Sequence, residues 1–493
     1  MKFDYWRSIL RRYGPRPALP AEMLMQFADV KTLREKDRGH FLLAGATGSG
    51  KSTLLEILME SILAHPPHEL DVFNAFVFDP QNDFYRSIMG MNLPMKTIQI
   101  NVMDGRGWAW DMWRDVRDPA GAWQFAHAAL PDDPSSNDNK FYSEAPRHIF
   151  AAVLRELVNR GMPWSLRLAY LIAMDDAYAR QLIGKSDDPG VRQTLRLFDA
   201  DQGSTKANIS SSLLTKLSNL ETYAALAEHA RRRFSVGELI RSDVVAIAGG
   251  DFQFSHIVAP MNNLFLTVLK NKLIGQEKSD RRRHYIFIDE FAALNNNRPA
   301  DEVLDFFVRG RSRGVRIAVA VHTPEQLVDL YGPHKTEVIL GQCQNKILLK
   351  MADVAGSEWC SKMLGQIHEY EWTANASVGA TRGKESSSNW SLGGSETYAD
   401  RPIVHPDEIR SLPLASFETG IHGYGILPGP SGVDRWKFHL TPGWLAEHAV
   451  RGDERVASYE SRRRPGRQQR LKRLSRAEVE EIGLEFRPDP LAP

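Results

Sequence analysis

The chain has 493 residues, enough for roughly three domain-sized units, and its 42% hydrophobic and 25% charged content is that of ordinary globular material. A net charge of +1 excludes a uniformly basic or acidic protein, and no apolar stretch approaches the roughly 18 residues needed to cross a bilayer. The first twenty residues lack the apolar core of a signal peptide, and Cys343 and Cys360 match no metal or redox spacing, so two buried thiols in a reducing, cytoplasmic setting are expected.

Residues 1–37 read as a helical extension, in which Trp6, Ile9 and Leu10 among Arg7, Arg11 and Arg12 suggest a small docking helix between Tyr5 and Tyr13. The apolar run His40 to Ala44 then leads into Gly45-Ala46-Thr47-Gly48-Ser49-Gly50-Lys51-Ser52, with Thr53 following. This is the phosphate-binding pattern G-x-x-x-x-G-K-[ST]. Its glycines let backbone N–H groups turn inward on a phosphate chain, Lys51 reaches the terminal phosphates as a point charge, and the Ser52 hydroxyl suits Mg²⁺. Leu54, Leu58 and Ile62 recur every four residues beyond it, so a strand, loop and helix are expected in that order.

Residues 38–118 are read as the first part of an ATPase domain and 119–235 as an inserted all-α domain, with helical patterns at Phe141 to Val158, Leu166 to Ala177 and Ile209 to Ala227. Residues 236–450 resume the ATPase domain with a strand at Asp243 to Ala248 and a helix at Met261 to Ile274. The run His284 to Ile288 then ends in Asp289-Glu290, as a buried parallel strand does where its carboxyl end opens on a ligand crevice. Asp289 is assigned to the Mg²⁺ hydration shell and Glu290 to polarising the attacking water. Residues 377–398, rich in Ser and Gly around Trp390, read as a mobile loop. Residues 451–493 read as a basic, mostly disordered tail, with eight of fifteen positions from Arg462 to Arg476 being Arg or Lys.

In this order the segments resemble the coupling ATPases of bacterial conjugation and type IV secretion, of the TraD, TraG and TrwB kind. Phe78 to Tyr85 looks like that family's strand ending in Asp-Pro-Lys-Gly-acid, Trp108 to Asp111 like its Trp-Asn-Pro stretch, and Phe141 to Ala145 like the start of its helical domain. Gly310 to Val315 resembles its Gly-Arg segment, the strand to Val321 with Thr323 and Gln326-Leu327 its sensor strand, and Arg401 to Ile403 with Pro406 to Ile409 and Leu412-Pro413 its closing motif. The chain departs from the pattern in three places: Gln81-Asn82 replaces Lys-Gly, His322-Thr323 replaces Gln-Ser, and the usual N-terminal transmembrane helices are missing.

The resemblance implies an α/β, RecA-like P-loop fold with a mostly parallel central sheet, interrupted by an all-α domain. It implies ATP and Mg²⁺ as cofactors, Arg311 as an arginine finger offered to a neighbouring subunit, and His322 at the sensor position. It further implies a homo-oligomeric, hexameric ring that moves single-stranded DNA, with a relaxase, toward a secretion channel or membrane-anchor partner. A HerA- or FtsK-like double-stranded DNA pump and a nucleotide-gated cargo receptor with little hydrolysis stay open as alternatives.

Overall fold

The computed structural model describes residues 39–130, 140–199, 203–250, 254–291, 301–381, 387–429 and 432–487. The expected docking helix at Tyr5 to Tyr13 lies outside the described residues. Among the described residues thirteen strands form in chain order: β1 (Phe41–Ala44), β2 (Val72–Asp79), β3 (Lys96–Gln99), β4 (Ala109–Trp110), β5 (Arg233–Phe234), β6 (Val244–Gly249), β7 (Arg282–Ile288), β8 (Val315–Val321), β9 (Asn345–Leu349), β10 (Gln366–Thr381), β11 (Ser387–Pro402), β12 (Ile421–Gly429) and β13 (Gly432–Leu440). Nine of them build one sheet in the order β13-β12-β9-β1-β8-β7-β2-β6-β3. The pairings from β9 across to β3 are all parallel, while β12 joins β9 and β13 antiparallel.

Alternation along the strands sends residues to two faces, each of which needs a cover. Phe41, Leu43, Ala75 and Val77 pack beneath helix Lys51–Leu63 through Leu54, Leu55, Leu58 and Met59. Leu42, Ala44, Phe76 and Phe78 face the other way, where Phe76 and Phe78 meet helix Ser255–Ile274. Phe265 of that helix meets Phe76, Phe78, Trp110 and Phe234 with ring centroids 6.0 to 6.2 Å apart, and Trp110 in turn meets Phe125 at 6.0 Å. Through these rings the helices between Pro119 and Glu228 share one continuous apolar cluster with the sheet.

Three expectations are corrected. The helix expected from Leu166 to Ala177 ends at Met174, because Asp175 adopts an extended conformation and its carboxylate accepts the Ala177 and Tyr178 N–H groups, starting a new helix at Asp176. Of the mobile loop expected at 377–398, residues 377–381 and 387–398 belong instead to two antiparallel strands, β10 and β11, which pair residue for residue from Gln366↔Pro402 to Thr381↔Ser387. Backbone ladder bonds order them without needing apolar side chains. The side chain of Trp390 lies outside the described residues.

The tail expected to be disordered runs as an ordered strap over residues 451–487. Asp453 N–H donates to Arg86 O, Gly105 N–H to Arg462 O, and Arg464 N–H to Met103 O. Arg464, 8% exposed as a residue, donates through its guanidinium to the carbonyls of Val102 and His229. Val479, Ile482 and Leu484 are buried in the same apolar cluster as the sheet.

Candidate functional site

The phosphate-binding pattern sits where its local chemistry requires, at the carboxyl end of β1 and the start of helix Lys51–Leu63. Gly48 and Gly50 hold φ values of 75° and 98°, a region costly for any side chain, so the loop can wrap tightly into the helix. Neighbouring strands pin it: Gly45 N–H donates to Val321 O at 3.2 Å, and Ala46 N–H to Lys350 O at 2.7 Å. Behind it, Ala415 N–H donates to Gly48 O at 3.0 Å, and Lys350 Nζ ties that segment down through Arg410 O and Leu412 O. Thr47 and Gly48 are exposed at the tip, Ser49 is buried, and Thr53 is half-buried on the first helical turn.

Lys51 Nζ lies inside the loop, donating to Gly45 O at 2.7 Å and Ala46 O at 3.0 Å. Burial pulls its ammonium down to about 8, although Asp289 and Glu290 act to hold it up. Ser52 Oγ donates to Asp289 Oδ1 at 3.0 Å across 237 residues of sequence, because β7, which ends at Ile288, lies two places from β1 in the sheet. Burial raises the Asp289 carboxyl, with the Ser52 bond and Lys51 opposing it. An ammonium enclosed by loop carbonyls and a hydroxyl paired with a carboxylate form a donor set that fits a polyphosphate and its divalent cation.

Glu290 stands beside this pair, with Gln81 Nε2 donating to its Oε2 at 3.2 Å and His322 Nε2 3.7 Å from its Oε1. The His322 imidazole, followed by Gln81, holds the Glu290 carboxyl below the usual carboxylate range against the effect of burial. His322 Nδ1 lies 3.2 Å from Lys51 Nζ and 3.5 Å from Thr47 Oγ1, so one imidazole touches both the phosphate loop and the acid. Lys51, Ser52, Asp289, Glu290 and His322 are thus brought together, whereas Arg311 is not. Arg311 is exposed on the turn Arg311–Arg313 that precedes β8, at the amino end of the strands, and β8 alone puts about 20 Å between it and the phosphate loop. Sequence reading registered Gln81 only as a departure from a family pattern and missed Lys350 and the 414–420 segment, whose contacts to the loop carry no local signal.

Residues 24–439 match the family model described as the type IV secretion-system coupling protein DNA-binding domain. The chain belongs to that family. Its fold is also similar to solved structures of the coupling protein TrwB. The bacterial conjugative coupling protein TrwBdeltaN70 in its unbound monoclinic form is 20% identical, with 83% of this chain and 86% of that chain covered at a TM-score of 0.61. Plasmid coupling protein TrwB in complex with ADP and Mg²⁺ is 20% identical over 86% and 88% at 0.61. Its complex with the non-hydrolysable ATP analogue ADPNP is 19% identical over 91% and 94% at 0.62. Among curated proteins none matches this chain. The likeness to the solved structures bears out the α/β, mostly parallel P-loop fold. Among the described residues of this coupling-family protein, no helix is long and apolar enough to cross a membrane.

Proposed function

We propose that this coupling-family protein hydrolyses ATP to move DNA, with Lys51 holding the terminal phosphates, Ser52 and Asp289 holding Mg²⁺, and Glu290 accepting a proton from the attacking water. The observation that carries the reading is the Ser52–Asp289 hydrogen bond, because it joins the phosphate loop and the acidic strand end in one crevice. Solved complexes of TrwB with ADP and Mg²⁺ and with ADPNP support the choice of cofactors. Bound Mg²⁺ would supply charge against the phosphate oxygens. Around it the chain's own groups do distinct work: Lys51 neutralises, the loop N–H groups orient, and Glu290, kept ionised by its neighbours, is a ready proton acceptor at neutral pH.

Arg311 lies at the amino end of the sheet, away from its own phosphate loop, which is compatible with the role the family resemblance implies: a finger offered to a neighbouring subunit's γ-phosphate in a ring, a hexamer by the same resemblance. Single-stranded DNA with its relaxase, passed to a secretion channel, is the substrate that the resemblance favours. The exposed cations Arg462, Arg470, Lys472 and Arg473 on the strap offer sequence-independent contacts to phosphates.

The test measures ATP hydrolysis with single-stranded DNA, double-stranded DNA or none. Stimulation by single strands is expected; stimulation by duplex alone would make this a duplex pump, and no hydrolysis under any condition would leave a nucleotide-gated receptor. Mixing Arg311→Ala with Lys51→Ala subunits, each inactive alone, should restore part of the activity, since some junctions then pair an intact loop with an intact finger. An Arg311→Ala protein with full activity would discard the finger.

A further inference from the structure

Gln81 leaves the sheet on a turn with little freedom. The buried Asp79 carboxylate accepts the Asp83 and Phe84 N–H groups at 3.1 and 2.9 Å, Asn82 N–H donates to Asp79 O at 3.3 Å, and Asn82 adopts a φ of 60°. Gly250 closes the turn from the other side. Its N–H donates to Asp79 O at 2.8 Å, its carbonyl accepts from the amides of Asn82 and Asn101, and a Cβ there would stand 1.9 Å from Pro80 O. The backbone from Pro80 to Asp83 is therefore held on several sides, and the direction in which Gln81 projects is set before its side chain makes any bond.

In the sheet, β7 lies between β8 and β2, so the acid that follows β7 is flanked by the residues that follow its two neighbours. From β2 comes Gln81, whose amide donates to Glu290 Oε2 at 3.2 Å; from β8 comes His322, 3.7 Å from Oε1. The two partners are chemically unlike. Either nitrogen of an imidazole can donate or accept according to its tautomer, whereas the nitrogen of a primary amide only donates. We infer that Gln81 is a positioning residue that fixes the orientation of the Glu290 carboxylate. This rests on the reading of Glu290 as the proton acceptor in hydrolysis. Gln81 touches neither nucleotide nor water in this role; it acts through Glu290.

Two variants and two readouts test it. Gln81→Leu keeps the bulk and removes the donor, and it should lower kcat about tenfold, the worth of a hydrogen bond to a charged group, with KM for ATP within about twofold. Gln81→Glu keeps the shape but removes the amide donor and sets a second carboxylate against the first, so it should lose more activity. An unchanged kcat in both variants overturns the inference. The second readout needs no turnover: the chemical shift of the Glu290 carboxyl carbon, assigned in the NMR spectrum by its loss in Glu290→Gln, is compared at one neutral pH between the parent and Gln81→Leu. A displaced resonance in Gln81→Leu supports the contact even if the parent proves unable to hydrolyse ATP, a result that would sink the ATPase reading alone. An unmoved resonance overturns the contact whatever the activity.

Discussion

The phosphate-loop corner and the C-terminal strap are both ordered, but their order has different origins. At the corner, Gly48 and Gly50 meet a local backbone demand, Lys51 turns its ammonium into the loop and Ser52 turns its hydroxyl to Asp289, so eight consecutive residues carry most of the information. In the strap, ordering comes from carbonyls and apolar side chains far away in sequence: Arg464 reaches Val102 and His229, and Val479 and Ile482 join a core that includes Leu154 and Ala173, more than 250 residues earlier. Removing a few atoms should therefore silence the corner without unfolding it, and unfold the strap without silencing the corner directly.

The largest expected effect tests the strap. Deleting residues 452–493 uncovers the surface under Val479, Ile482 and Leu484, each under 5% exposed. At about 1.5 to 3 kcal/mol for each buried side chain, the loss approaches the whole net stability of a typical domain. Insoluble or much less heat-stable protein is the expected outcome. A truncated chain with the parent's melting temperature would mean that the strap rests on the surface without holding it.

The corner should behave in the opposite way. Lys51→Ala removes a charge aimed at phosphates and should cut ATP hydrolysis by at least about 10²-fold, as the loss of one electrostatic stabiliser does elsewhere. Its unfolding midpoint should hold or rise, because the ammonium sits where burial opposes its charge. A fall of several degrees in melting temperature would show that Lys51 supports the loop as well as its ligand.

The same contrast explains what could be read from the sequence. The P-loop, the Asp289 strand, the parallel sheet and the helices at Phe141 to Val158 and Ile209 to Ala227 show themselves through spacing and periodicity within a dozen or so residues. The strap's basic residues look like those of a solvated arm, because nothing local reveals that Arg464 will satisfy two distant carbonyls. Likewise strands β10 and β11 are held by backbone pairing, which Ser- and Gly-rich sequence does not announce. Gln81 was visible as an unusual residue, but its role depends on β2 and β7 being neighbours, which only the sheet order supplies.

Within the strap, one guanidinium separates bonding from mere charge. Arg464→Ala leaves the Val102 and His229 carbonyls without their donor in a buried place and should cost about 2 to 3 kcal/mol in urea unfolding. Arg462→Ala, two residues away with an exposed side chain, should change stability by no more than about 0.5 kcal/mol. Equal effects would contradict the distinction drawn between these neighbours.

At the corner, the finest expected effect is a proton. Burial sets Lys51 at about 8 in the protein alone, against 10.5 when solvated. A polyphosphate beside the ammonium favours its charged form and moves that value back up, so between the two values the complex holds more protons than the free protein. The sign follows: nucleotide affinity is level below about pH 8 and falls as pH rises beyond it, at most tenfold per pH unit, or about 1.4 kcal/mol. Calorimetry with ADPNP at pH 8.5 in buffers of different ionisation enthalpy should register net proton uptake on binding. Lys51→Arg keeps a cation that does not titrate in this range, so whatever affinity it retains should be flat from pH 8 to about 9.5 and show no uptake. A parent protein that binds without taking up protons at pH 8.5 would mean that the ammonium is already fully charged against the carbonyls of Gly45 and Ala46, and that the corner is organised around its own backbone as firmly as the strap is around the backbone of others.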